Sequence, residues 1–264
     1  MRIIPVLDLM DGVVVRGVAG RRSEYRPIES TLCLSAEPTV VACAIVDRYR
    51  TTEFYIADLD AIAGSEPAWG IYEEIAATGA RLLVDAGVGD VGRAQSLADF
   101  RAAGEPLAGV IVGLESLAPE CVDGVLRADD QHLAATIAPL LRAIGAERLV
   151  FSLDLKGGTP LTNVRAWRAT EPLKLAASVI DAGVRRLIIL DLADVGVGEG
   201  VGTLALCQAI RAEYPQIEII AGGGVRGPGD LRQMAACGCD AALVASALHD
   251  GRLSKEALAR IDER

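Results

Sequence analysis

The chain has 264 residues, 51% apolar and only 4% aromatic, with 26 basic against 36 acidic side chains and a formal charge of −10 at pH 7. That length and apolar content suffice for a sizeable core and exclude disorder, while the negative charge opposes non-specific binding to nucleic acid or anionic lipid. Apolar residues come in short blocks far from the roughly 18 uninterrupted residues of a membrane span, and Met1–Leu9 enters a strand-like run without a secretory pattern, so a cytoplasmic protein that crosses no membrane is expected.

Strand-like blocks follow one another along the chain: Arg2–Leu9, Glu53–Leu59, Arg81–Asp85, Gly109–Gly113, Arg148–Leu155, Arg185–Leu192, Ile217–Ala221 and Ala241–Ala245. Most are continuous apolar runs, the pattern of parallel strands covered on both faces. Between them lie helical stretches at Pro38–Arg50, Pro67–Thr78, Ala94–Ala103, Leu133–Ile144, Glu171–Ala182, Gly202–Glu213 and Gly229–Cys237. Eight such units in this length predict an α/β fold, a closed (β/α)8 TIM barrel forming one domain over residues 1–264.

The strand ends also repeat. Asp8 in Leu7-Asp8-Leu9 and Asp154 in Leu153-Asp154-Leu155 lie 146 residues apart, Asp58-Leu59-Asp60 precedes Asp191-Leu192-Ala193 by 133, and Ala86-Gly87-Val88 precedes Gly223-Gly224-Val225 by 137. Val112-Gly113-Leu114 similarly matches Ala245-Ser246-Ala247. Four pairs in the same order suggest two related half-barrels. Two connections, Gly12–Pro38 and the segment between Gly113 and Arg148, exceed what a compact barrel needs and read as functional loops or disordered ones.

In such a barrel the site lies at the carboxyl ends of the strands. Asp8 and Asp154 would face each other across the mouth, one as base and the other as acid; the structural alternative is that they cap strand ends or pair with Arg16 or Lys156. Gly222-Gly223-Gly224-Val225-Arg226, with Ala245 and Ser246 after the eighth strand, fits a phosphate cradle, because glycines let backbone N–H groups approach an anion; a plain tight turn is the other reading. Gly87 and Gly113 form a weaker copy, with Asp90 beside the anion's place. Arg16, Arg21 and Arg22 could close over an anionic ligand or form a solvated loop. His132 and His249 read as surface residues, Trp69 and Trp167 as packing, with Trp167 near enough to the fifth strand to line the mouth. The six cysteines (Cys33, Cys43, Cys121, Cys207, Cys237, Cys239) lack disulfide or zinc spacing and read as free thiols. No metal site or cofactor is expected. A small phosphorylated metabolite is the expected partner, and self-association into a homo-oligomer stays open.

Together these residues resemble the HisA/HisF family of histidine-biosynthesis barrels over essentially the whole chain: Ile4-Pro5-Val6-Leu7-Asp8-Leu9-Met10-Asp11-Gly12 with Val14-Val15-Arg16 is similar to its first strand, Asp58-Leu59-Asp60-Ala61 to its second, Leu153-Asp154-Leu155 to its fifth and Gly222-Gly223-Gly224-Val225 to its seventh-strand phosphate loop. The resemblance implies a cofactor-independent Amadori isomerase acting on an N-linked aminoaldose with a phosphate at each end, Asp8 removing the C2 proton and Asp154 orienting or assisting. Three positions depart from the pattern. Val195 takes the place of the isomerase's sixth-strand acid, leaving Asp191 and Asp194 as the nearby carboxylates; Gly89 replaces the third-strand arginine; Ala245 replaces the eighth-strand glycine. The loop Asp11–Ile28 resembles a HisA-like branch of methylotrophs and methanogens outside ordinary histidine synthesis. Two alternatives therefore accompany the isomerase: a diverged enzyme of pterin or one-carbon metabolism, and a non-catalytic barrel that binds a phosphate ligand.

Overall fold

The computed structural model describes residues 1–118, 121–122, 125–126, 130–197 and 200–262. Eight parallel strands, β1 (Arg2–Met10), β2 (Glu53–Asp58), β3 (Arg81–Asp85), β4 (Gly109–Gly113), β5 (Leu149–Lys156), β6 (Arg186–Asp191), β7 (Glu218–Gly222) and β8 (Ala241–Val244), pair in sequence. The ring closes where β8 pairs with β1, from Arg2 opposite Ala241 to Pro5 opposite Val244. Around it run α1 (Pro38–Tyr49), α2 (Trp69–Ala76), α3 (Val91–Asp99), α4 (Asp130–Ile144), α5 (Pro172–Asp181), α6 (Leu204–Glu213), α7 (Pro228–Ala236) and α8 (Lys255–Asp262). This is the (β/α)8 barrel the sequence predicts. α3 begins before the expected Ala94 because the Asp90 carboxylate accepts the Arg93 N–H at 3.0 Å and caps the helix there.

Both faces of the strands are buried, which is why they read as unbroken apolar runs. Ile4, Leu83, Ile111, Val150, Ile188 and Ile220 fill the barrel with no exposed surface. The alternate residues, including Leu7, Phe54, Ile56, Val84 and Phe151, face the helices and share one core with Tyr72 and Trp167. Trp167, on a short helix (Arg165–Arg168), is thus fully buried packing and does not reach the mouth.

The amino-terminal end of the barrel is sealed by ions. Arg2 bridges Glu53 (2.8 Å) and Glu218, while Arg186 pairs with Glu218 at 2.6 Å and donates to the Ala108 carbonyl at 2.9 Å. Gly109 makes the space, since a Cβ there would lie 2.6 Å from Leu83 Cδ2 and 3.3 Å from the Arg186 guanidinium.

The first long connection is ordered. Val13–Arg16 turns back antiparallel to β1, pairing Val15 with Asp8, and Arg26–Pro27 pairs with Val15 and Arg16 in turn. The second begins with a 3-10 turn at Leu114–Ser116; part of it, with Cys121's side chain, lies outside the described residues. The other five cysteines are free. His249 corrects the surface expectation: it is 2% exposed, its Nδ1 is 3.0 Å from Ser30 Oγ, and burial lowers its pKa to about 4. The long connection causes this, because Thr31 donates from both its N–H and its hydroxyl to the His249 carbonyl, at 2.8 Å each, and folds the loop over the ring. Among the described residues no helix is long and apolar enough to cross a membrane.

Candidate active site

The carboxyl ends of the strands open into a cavity of about 560 Å³. β1 and β5 stand four strands apart in a ring of eight, so Asp8 and Asp154 reach it from opposite sides. Asp8 lies beneath the first hairpin: a Cβ on Gly17 would come within 2.9 Å of its Oδ2 and 3.6 Å of the Tyr25 hydroxyl, so only glycine lets the hairpin close on this carboxylate. On β5, Ser152 donates its hydroxyl to Asp154 Oδ1 at 3.0 Å.

A third carboxylate joins them from β3. Asp85 is 5% exposed and accepts from the Gly87 N–H at 3.1 Å and from the Tyr55 hydroxyl at 3.4 Å. Gly113 keeps the space between: the position its Cβ would take is 3.9 Å from Asp154 Oδ2, 4.0 Å from Asp85 Oδ2 and 3.8 Å from Glu115 Cγ. Neither Asp85 nor Glu115 is singled out by the sequence. Asp85 ends a strand just as Asp8 and Asp154 approach the ends of theirs, but its place in Asp85-Ala86-Gly87 directs attention to the glycine.

Burial dominates the electrostatics. It lifts Asp8 to about 7, against the pull of the Arg22 guanidinium. Asp85 rises to about 7 through burial and the Glu115 charge, opposed by the Gly87 N–H, the Tyr55 hydroxyl and Arg22. Asp154 rises to about 8, through burial first and then the charges of Glu115 and Asp85, with the Ser152 hydrogen bond opposing. Burial thus holds all three carboxyls well above the usual carboxylate range, close to neutral pH.

Of the other expected residues, Arg16, Arg22, Gly223, Gly224, Ala245 and Ser246 line the same cavity. Gly223 and Gly224 have φ of +82° and +77°, and a Cβ on Gly224 would collide with the Gly200 carbonyl oxygen, so the glycine run is required by local geometry whatever it binds. Gly222 is buried at the end of β7 behind them. Arg226 turns away and grips Asp230 with Nη2–Oδ1 at 2.7 Å. Arg21 pairs with Glu24 at 2.8 Å. Gly87 packs against the chain after β2, its would-be Cβ 2.8 Å from Ile62 Cα, and Asp90 is spent on capping α3. Asp191 and Asp194 also turn from the cavity. Asp191 accepts the N–H groups of Gly157 (2.9 Å), Gly158 (2.7 Å) and Ala193 (2.9 Å), tying the β5 loop to β6, and Asp194 accepts that of Gly202 at 2.9 Å. Val195 lines the cavity in their stead.

The family model described as histidine biosynthesis protein matches residues 2–254. The chain belongs to this family. Among relatives of this histidine-biosynthesis barrel, an uncharacterized protein of Methanocaldococcus jannaschii is 32% identical over 97% of the chain and 96% of its own length. The 1-(5-phosphoribosyl)-5-((5-phosphoribosylamino)methylideneamino) imidazole-4-carboxamide isomerases of Thermus thermophilus and Rubrobacter xylanophilus are 29% and 30% identical, covering 96% and 97% of the chain and 96% and 94% of their own lengths. The barrel is thus a member of a HisA-like isomerase family, and within it Val195 stands where the resemblance puts the isomerase's acid.

Proposed function

We propose that this histidine-biosynthesis barrel is a cofactor-independent isomerase of a phosphorylated N-linked aminoaldose, working by an Amadori rearrangement. The observation that carries the reading is the placement of Asp8 and Asp154 on opposed strands of one cavity, each with a carboxyl poised near neutrality. A protonated Asp154 donates to the ring oxygen, the ring opens to the iminium, and ionised Asp8 takes the proton from C2 to give the enolamine. Return of a proton to C1 and loss of the hydroxyl proton yield the aminoketose, so no redox partner is needed. General acid–base groups perform best with pKa values near the working pH, the condition that burial creates here.

The phosphate is held in this reading by the backbone at Gly223 and Gly224 with the Ser246 hydroxyl, and the exposed Arg16 guanidinium serves the same edge. The chain then acts as one cytoplasmic barrel domain on a small phosphorylated metabolite, and the strand-end repeats reflect two related halves. Val195 favours a second reading, a diverged member acting on a different phosphorylated intermediate with the same carboxylates. Incubating purified protein with the bisphosphate substrate of the named relatives tests the first reading. Turnover that falls at least a hundredfold in Asp8→Asn and in Asp154→Asn is expected, whereas the absence of both turnover and binding would overturn its histidine-pathway form.

A further inference from the structure

The cavity is divided by depth. Its five cations, Arg16, Arg22, Lys156, Arg168 and Arg252, are all exposed on the rim. Two of its carboxylates, Asp85 and Asp154, are buried, with Asp8 and Glu115 half-buried beside them. No ion pair joins rim to depth among these residues: Arg252 is taken by Asp250 at 2.7 Å, Arg168 donates to the Thr162 carbonyl at 3.0 Å, and Arg22 influences Asp8 and Asp85 only at longer range.

Apart from Asp85, which accepts the Gly87 N–H and the Tyr55 hydroxyl, the carboxylates of the cavity are short of donors. Elsewhere in this fold a buried carboxylate is well served: Asp58 accepts the N–H groups of Ala61 and Ala68 and the Tyr72 hydroxyl, and Asp191 accepts three backbone N–H groups. By contrast, Asp154 is 9% exposed, yet among the described residues its carboxylate accepts only the Ser152 hydroxyl, at Oδ1, while its Oδ2 faces the space in front of Gly113. The side-chain carboxylates of Asp8 and Glu115 accept no hydrogen bond from the described residues. These oxygens open onto the cavity, where a donor carried by the ligand can reach them. A metal ion is not suited to supply the charge, since among the described residues no three acidic, histidine or cysteine side chains converge closely enough to ligate one.

We infer that the ligand of this barrel is an amine-bearing phosphomonoester, its protonated amine or amidine seated between Asp85, Asp154 and Glu115 and its single phosphate at the Gly223–Gly224 edge. This rests on the phosphate end of the proposed function and narrows its substrate class: the end of the ligand near β3 and β4 is a donor, and a second phosphate there would meet Asp85 and Glu115. Such a group completes the lone pairs of Asp154 Oδ2 and Glu115 and replaces repulsion among the carboxylates with attraction.

Calorimetric titration of the full chain with glucosamine 6-phosphate and glucose 6-phosphate, which differ only in the amine, tests the inference; inorganic phosphate and fructose 1,6-bisphosphate complete the set. Glucosamine 6-phosphate should bind at least tenfold more tightly than glucose 6-phosphate, with the ratio falling toward one in Glu115→Gln and in Asp85→Asn. The half-buried Glu115 carries the test should Asp85→Asn fail to fold. Equal affinity for the two hexose phosphates, tightest binding of the bisphosphate, or no binding by any of the four probes would overturn it. Turnover of the relatives' bisphosphate substrate is a separate readout, so the isomerase reading can stand while this inference fails, and the reverse.

Discussion

Replacing Asp154 by Asn should make the protein more stable, by an amount that grows from about pH 4 to about pH 8. In the folded chain this carboxyl titrates at about 8, against 3.8 for the ordinary group. Below pH 4 it is protonated in folded and unfolded chains alike and costs nothing. Between those values the unfolded chain releases the proton while the folded chain keeps it, so stability drains away as pH rises and the loss is complete above pH 8. At about 1.4 kcal/mol per unit, the full shift corresponds to a ceiling of about 6 kcal/mol. Part of the shift comes from Glu115 and Asp85, whose own ionisation readjusts when Asp154 is neutral, so a realised gain of about 2 kcal/mol is expected. In a chain of this size that raises Tm by about 5 °C. Asn keeps an oxygen for the Ser152 hydroxyl, so the substitution tests charge and not packing. Thermal melts of both proteins at pH 4.5 and 8.5 decide it. Equal Tm values at pH 8.5, or the same gain at both pH values, would refute the claim that buried charge at the mouth is held at the expense of stability.

Two further outcomes follow from residues outside the cavity. Asp191→Ala leaves the N–H groups of Gly157, Gly158 and Ala193 without their acceptor and should cost about 3 kcal/mol in urea denaturation; a loss below 0.5 kcal/mol, about the size of an ordinary surface change, would deny it the latch role. His249 stays neutral in the fold down to about pH 4 while the unfolded chain takes up its proton near 6.5, so its contribution is present above pH 6.5 and lost as pH falls. His249→Gln should therefore remove about 2 kcal/mol of the stability that the parent protein loses between pH 7 and 4.5, read as converging melts over that range.

The barrel was legible because β3 and β4 are uniform apolar runs whose limits the structure reproduces residue for residue. Asp8 and Asp154 were legible for the same reason, since alternation along a strand carries each of them inward at the mouth. Asp191 and Asp194 were not distinguishable from them by sequence. Their roles depend on where the carboxylate turns after the strand, and that is fixed for Asp191 by the N–H groups of Gly157 and Gly158, more than thirty positions away, and for Asp194 by that of Gly202 in the following loop. His249 misled for a similar reason: its burial is imposed by Thr31, which is 218 positions away. The carboxylate Asp85 was hidden by the glycine beside it, whose signature suggests an anion site while the neighbouring side chain opposes one.

The ion-sealed floor has a kinetic consequence. With Arg2, Glu53, Arg186 and Glu218 closing the amino-terminal end and Ile4, Leu83, Ile111, Val150, Ile188 and Ile220 packed above them, the barrel is a blind well and not a passage. In the proposed isomerase, product would have to leave by the way its substrate came in, past the same exposed cations of the rim. Product and substrate would then contend for one doorway, and inhibition by product is expected to be competitive.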